Sequence, residues 1–253
     1  MSSKFLNESN ESSEPGIIVE SDLFNGADSA RFALGIFSSS RMLSYEDGSV
    51  EQAIFRLRSK VYIDQEGYLD DSTKNEDGTE IDVDDRRSKQ VFVVENRGPQ
   101  LVAAVACGRL VVKDGSPLPV EKFFPEAFCP ELPTGSVEIS RFIARHQDPY
   151  LNIDLQKSLM AAGVGHVDSE KLGSMYAVVD PYFERGLKLM LRSAIRRSSD
   201  LKYIKEYNTE NYAIEIVGSG VKSRLGKEAV ERFTPLVDES IVYWNRFGEA
   251  LYL

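Results

Sequence analysis

In the stretch Ser136 to Arg145, SVEISRFIAR, a carboxylate and a guanidinium stand three positions apart in an otherwise apolar run. Glu138 and Arg141 are residue types that can take up a proton and hold a negative charge in place. Val137, Ile139, Phe142 and Ile143, following the turn signal Pro133-Thr134-Gly135, predict a strand. Side chains alternate along a regular strand, so residues three apart point to opposite faces. If Glu138 and Arg141 serve one site, the strand has to bulge between them. The competing reading is a structural ion pair or two rim charges, since buried charges are commonly paired for structural reasons.

Other charges stand where a core or a cleft is expected. From Val50 to Glu66, Ile54, Leu57 and Val61 recur at helical spacing, with Ser49 or Asp47 as cap. Arg58 borders the apolar face of that helix and either snorkels or reaches into a cleft, whereas Arg56 turns toward solvent. Asp64 to Asp85 carries ten acidic residues against the single Lys74, which predicts a long loop. Its acids are either solvated or form a site for a cationic substrate, with Asp82 and Asp85 as candidates. Arg109 interrupts the apolar run Leu101 to Val112, and Gly108 beside it signals a bulge or a close backbone approach.

The elements that would position these groups follow from periodicity. Gln90 to Glu95 and Leu101 to Val112 read as a hairpin joined by Asn96-Arg97-Gly98-Pro99. Asp154 to Val167 reads as a helix, Met175 to Val179 as a buried strand, and Asp180-Pro181 as the start of another helix. On that last helix Lys188, Arg192 and Arg196 fall at i, i+4 and i+8, giving a basic face that is either a dock or merely solvated. Asn211 to Val217 completes the strands, and Lys227 to Phe233 and Asp238 to Tyr252 read as terminal helices. Residues 1–28 are too polar to order by burial, while Ser29 to Met42 fits a helix or a strand. The order of elements predicts one mixed α/β layer structure over residues 29–220, with a helical extension over 221–253.

Composition narrows the function. The chain has 30 basic and 40 acidic residues, a net charge of −10, which argues against a general nucleic-acid binder. Cys107, Cys129, His146 and His166 are too few and too scattered for a zinc site, and Cys107 reads as a small buried hydrophobe. The polar first 16 residues and the lack of 18 consecutive apolar residues give the expectation of a cytoplasmic protein that does not span a membrane.

Taken in order, these residues resemble the acyl-homoserine lactone (autoinducer) synthases and their relatives, the N-acyl amino acid synthases and exosortase-associated acyltransferases. The family's arginine, aromatic and tryptophan fall on Arg58, Tyr62 and Tyr68, its paired aspartates on Asp82 and Asp85, and its Arg-Leu strand on Arg109-Leu110. Its phenylalanine before a proline falls on Phe124 or Phe123, and its Glu-x-Ser-Arg on Glu138 to Arg141. Tyr68 in place of tryptophan and the long segment Leu69 to Ile81 depart from the lactone synthases. FRLRSKVYIDQEGYLD and DGTEIDVDD look closer to the exosortase-associated group.

The resemblance implies a GNAT-like acyltransferase fold, a central mixed twisted sheet flanked by helices. It implies transfer of a long fatty acyl group to the α-amino group of an amino acid, or alternatively lactone synthesis from S-adenosylmethionine. A non-catalytic acyl-carrier or lipid-binding module is the third reading. No glycine-rich phosphate loop occurs between Arg145 and Gln156, which fits a donor carried as phosphopantetheine on acyl carrier protein, with no bound cofactor or metal. On this reading Glu138 is the base and backbone N–H groups near the bulge hold the oxyanion. Arg141, Arg58 and Arg109 bind the acceptor carboxylate or fix Glu138 and the aspartates, and Asp82 and Asp85 hold the arginines. Tyr62, Tyr68, Phe123 and Phe124 line the substrate site, and Lys188, Arg192 and Arg196 dock the acidic carrier.

Overall fold

The two runs richest in β-branched and small apolar residues, Ser88–Gly98 and Leu101–Val112, form a long antiparallel hairpin that is buried along nearly its whole length. Such continuous burial requires cover on both faces of the sheet. The computed structural model describes residues 17–20, 30–38, 45–98, 100–227, 241–244 and 250–251. In chain order the strands are β1 (Ile17–Glu20), β2 (Phe32–Ser38), β3 (Ser88–Gly98), β4 (Leu101–Val112), β5 (Val137–Ala144) and β6 (Met175–Val179). There follow β7 (Ile195–Arg197), β8 (Lys202–Ile204), β9 (Thr209–Ile216), β10 (Ile241–Trp244) and β11 (Ala250–Leu251). The helices are α1 (Val50–Ser59), α2 (Pro119–Phe123), α3 (Pro149–Ser169), α4 (Pro181–Leu191) and α5 (Gly218–Leu225).

All described strands join one sheet in the order β11-β10-β2-β3-β4-β5-β6-β9-β7, with β1 on β4 and β8 on β9. Every pairing is antiparallel except β5 with β6, where α3 makes the crossover that parallel neighbours need. Three of the helices begin as their residue types dictate. Ser49 caps α1 by accepting from the Gln52 N–H, and Asp148-Pro149 and Asp180-Pro181 each supply a capping carboxylate and a proline at the first helical position. Packed on one face are α3, α4 and α5, around Leu155, Leu159, Val164, Leu187 and Val221. The other face is covered in two parts, by α1 with Ile54, Phe55 and Leu57, and by the α2 segment with Val120 and Phe124.

Several expectations change at the ends of the chain. Ile17–Glu20, inside the segment expected to stay loose, pairs with β4, where β5 has ended at Ala144 and left the edge of β4 open. The rest of 1–28 lies outside the described residues. The open choice for Ser29 to Met42 resolves as a strand because β3 offers it a seven-residue antiparallel partner. The helix expected over Asp238 to Tyr252 is replaced by β10 and β11: the β-branched and aromatic run Ile241–Trp244 pairs with β2 in the same sheet. The described C-terminal residues Ile241–Trp244 and Ala250–Leu251 thus belong to the sheet. Of Lys227 to Phe233, all beyond Lys227 lies outside the described residues. No sequence signal anticipated α5.

The strand β2 owes its packing to one glycine. An added Cβ at Gly35 would stand 2.4 Å from Cζ of Phe92, whose ring is wholly buried and stacked on Phe37 at 4.2 Å. Gly35→Ala is therefore expected to cost about 1–3 kcal/mol by overpacking, measured as a lower midpoint in urea denaturation.

Candidate active site

The strand β5 does bulge where the chemistry required it. Cys107 pairs with Ile143 but Arg109 pairs with Ser140, so Gly108 alone on β4 faces both Arg141 and Phe142 on β5. Arg141 takes up the extra residue with φ of +52°, left-handed backbone that a non-glycine residue rarely adopts. Gly108 is the close approach: a Cβ there would stand 3.4 Å from the Phe142 ring. On its far edge β5 pairs with β6 only through Val137 with Met175 and Glu138 with Tyr176. Beyond that point the strands separate, and a cleft of about 270 Å³ opens between them. Its apolar wall comes from Phe142, Ile143, Met160, Val179, Phe183 and Leu187. Its polar end is formed by Glu138, Arg141, Tyr62, Tyr68 and Tyr207.

Behind that polar end lies a buried ionic network. Arg58 forms a fork with both oxygens of Asp85, at 2.8 and 2.9 Å, and its Nε donates to Glu80 at 2.7 Å. Arg141 in turn donates to both oxygens of Glu80, at 2.9 and 3.1 Å, and to Asp82 at 3.0 Å. Arg109 donates to Asp82 at 2.5 Å and to the Ser140 hydroxyl at 3.0 Å. Three guanidinium groups thus meet three carboxylates, so the cluster is neutral as a whole. Burial opposes ionisation of Glu80, but the charges of Arg58 and Arg141 outweigh it and hold its carboxyl down to about 2. Asp85 is likewise held below the usual range against its burial, by Arg58 and Arg109.

The acidic loop is shaped for this purpose. Asp82 accepts from the N–H groups of Asp84 and Asp85 while Asp85 accepts from the Asp82 N–H, a reciprocal cap that starts the turn Val83–Arg87. The Glu80 N–H is tied to the Phe55 carbonyl on α1. Past Ser59 the chain continues from α1 in wider π-type turns over Lys60–Gln65, which bring Tyr62 under the Arg141 guanidinium, 5.4 Å from the ring centre.

Glu138 differs from these carboxylates. It is fully buried; Oε2 accepts from the Val120 N–H at 2.6 Å, and Oε1 has no partner. Burial pushes its carboxyl up to about 8, with the Val120 N–H, Arg109 and Arg141 offsetting only part of the effect. A carboxyl of this kind gains and loses its proton near neutral pH, which is what acid–base work demands.

The structure brings together Arg58, Asp82, Asp85, Arg109, Glu138, Arg141, Tyr62 and Tyr68, and it divides their roles. Arg58, Asp85 and Arg109 are 0–1% exposed and do not line the cleft; their bonds run to the loop and, through Glu80 and Asp82, to Arg141. Tyr68 lines the cleft and donates to Asp180 at 3.2 Å. Phe123 and Phe124, expected at the substrate site, do not line the cleft: they pack with Val120, Phe128 and Ile204 beneath α2, with Phe123 against the cleft residue Tyr207.

The basic helix face also does not form. At Leu191 α4 ends, Arg192 turns the chain with φ of +50°, and Arg196 lies on β7; Lys188 is bound to Glu184 at 2.5 Å. Glu80 and Tyr207 carry no distinguishing signal in the sequence, nor does Gln90, whose amide donates to Asp85 at 3.1 Å. Glu80 stands in a run of ten acids, and only the fold places it between Arg58 and Arg141.

No protein-family model and no curated sequence relative matches the chain. Among solved structures it superposes on the CoA-dependent acyl-homoserine lactone synthase BjaI, with a TM-score of 0.58, 18% identity, 78% of this chain and 89% of that chain covered. The lactone synthase LasI gives 0.56 and 18% over 77% and 96%, and TofI gives 0.56 and 17% over 75% and 96%. The chain has the acyl-homoserine lactone synthase fold. In this synthase fold the mixed sheet flanked by helices is the architecture that the resemblance implied, and the bulged β5 lies beside its middle strand β4.

Two outcomes check the site. Arg58→Leu leaves the network's three carboxylates to two arginines and is expected to cost about 3–5 kcal/mol, whereas Lys74→Ala, which breaks a half-exposed pair with Asp64, should cost under about 1 kcal/mol, both by urea denaturation. Between the ordinary value of 4.5 and about 8, Glu138 keeps a proton in the folded protein that the unfolded chain releases, so stability falls as pH rises through that window. Glu138→Gln abolishes this fall, and its stability relative to the native chain should increase from about pH 5 to about pH 8.

Proposed function

We propose that the protein is an N-acyltransferase that moves a long fatty acyl group from the phosphopantetheine of acyl carrier protein to the α-amino group of an amino acid. The observation that carries this reading is Glu138: a buried carboxyl with one free oxygen, at the polar end of a cleft whose other wall is apolar. An amino acid arrives as an ammonium ion, which cannot attack. Glu138 takes one proton, the nitrogen attacks the thioester carbonyl, the C–N bond forms, and the C–S bond breaks to release the pantetheine thiolate, which takes up the second proton as the amide nitrogen sheds it. Thiols ionise near about 8.5, so the thiolate leaves without needing an acid. The acyl chain lies along Phe142, Ile143, Met160 and Leu187. Arg141, pre-set by Glu80 and Asp82, faces the acceptor, and its fixed charge costs no reorganisation during the reaction.

Support for a pantetheine donor without a nucleotide comes from α3. A CoA pyrophosphate would seek the N-terminus of a helix, but there the Asp148 carboxylate already caps the Tyr150 N–H at 2.9 Å and would repel it. BjaI has been solved with S-adenosylmethionine and isopentyl-CoA, and lactone synthesis from S-adenosylmethionine is the rival reading that the shared fold favours. Against it, the loop carboxylates that could face a sulfonium, Glu80, Asp82 and Asp85, are each engaged by arginine.

Mass spectrometry of products decides the matter. The purified protein is given acyl carrier proteins loaded with long and short chains, the twenty amino acids and S-adenosylmethionine. An N-acyl amino acid is expected, with kcat/KM rising through about pH 8 as Glu138 deprotonates and falling at least about 100-fold in Glu138→Gln. An acyl-homoserine lactone would move the assignment to the rival reading, and no product above the variant would leave a non-catalytic acyl-binding module.

A further inference from the structure

Tyr207 comes from the far side of the sheet, in the turn Lys205–Tyr207 between β8 and β9, and yet it lines the cleft beside Glu138 and Arg141. Its position is built. Asn208 closes the turn in left-handed backbone with φ of +49°, and the Tyr207 ring packs on Phe123 with centres 5.0 Å apart. Burial raises the pKa of the phenol and holds it protonated, with the Arg141 guanidinium and Glu138 as its charged neighbours.

The proton inventory of this corner is restrictive. A guanidinium has only donors, so toward Arg141 the phenol oxygen can only accept. The phenolic proton is left for something else. It is not spent on Glu138, whose Oε2 takes the Val120 N–H and whose Oε1 has no partner. A neutral O–H donor on a side chain that lines the cleft with an arginine is suited to an oxygen on which negative charge develops.

We propose that the Tyr207 hydroxyl donates a hydrogen bond to the thioester carbonyl oxygen of the acyl donor and stabilises the oxyanion formed when the amine adds. This rests on the acyl-transfer reading and assigns the reaction a donor from β8–β9 in addition to the unpaired edge of β5. The proton stays on Tyr207 throughout: the electron pair on the oxyanion returns to carbon as the C–S bond breaks.

Tyr207→Phe keeps the ring against Phe123 and removes only the hydroxyl, so the folded state should survive with an unchanged thermal midpoint. Oxyanion donors of this type are worth about 100-fold in kcat, and the expected result is a loss of that size with KM for the acyl donor within about twofold. A reading independent of turnover is the carbonyl infrared band of carbonyl-carbon-13-labelled decanoyl-pantetheine bound without acceptor. It should lie at lower frequency in the native chain than in Tyr207→Phe. Native turnover by Tyr207→Phe, or a bound carbonyl band that does not respond to the substitution, would overturn the assignment while leaving acyl transfer in place. If the native chain binds no thioester at all, both fall together.

Discussion

Everything near the cleft depends on keeping three guanidinium groups in a place that water does not reach. Arg58 and Arg109 are almost wholly buried and Arg141 is 7% exposed, and a guanidinium left without partners in such surroundings keeps its charge at a heavy desolvation cost. The fold meets this by matching each arginine with carboxylates at hydrogen-bond distance, so that Arg58, Asp85, Glu80, Arg141, Asp82 and Arg109 form one unbroken chain of charges. Such a network contributes little net stability compared with an apolar core of the same volume, but removing any one member leaves a buried charge exposed to its neighbours' loss. What it gives is placement. Three elements distant in sequence, α1, the acidic loop and the hairpin of β4 with β5, are held in one register by bonds that tolerate little displacement.

That placement makes the bulge useful. An extra residue at Arg141 turns its side chain from the face where simple alternation would put it, and the same irregularity parts β5 from β6. One backbone feature therefore creates both the cavity and the residue that faces it. Glu138 stands at the last paired rung, where the sheet is still closed behind it and the cleft is open in front. Excluded from the charge network, it bears the cost of burial almost alone, and its proton affinity rises accordingly. The acids of the network and the acid of the cleft have thus been driven in opposite directions: Glu80 is ionised to low pH, whereas Glu138 is poised near neutrality.

Where the fold departs from local pattern, the cause is the same each time. Lys188, Arg192 and Arg196 align only if α4 runs on, and local spacing does not register the left-handed residue at Arg192 that ends it. Phe123 and Phe124 are apolar residues near a site in sequence, and apolar residues are claimed by whichever core is nearer; here it is the core beneath α2. The C-terminal residues form strands because β2 has a free edge to offer, a fact belonging to the sheet and not to the segment.

By itself the sequence determined which side chains carry chemistry, and it determined the condition they had to meet: Glu138 and Arg141 can share a site only if their strand bulges. It also determined the central hairpin, the start of α4 and the cap of α1, because these follow from local periodicity and local capping groups. Only the tertiary structure decided the division of labour. Burial is a property of the assembled fold, and it is burial that makes Arg58 a strut, leaves one oxygen of Glu138 free and brings Tyr207 from the last long strand of the sheet to the side of Arg141. Residue type names what a group can do; the dielectric and the partners around it, set by residues far away in sequence, choose which of those things it does.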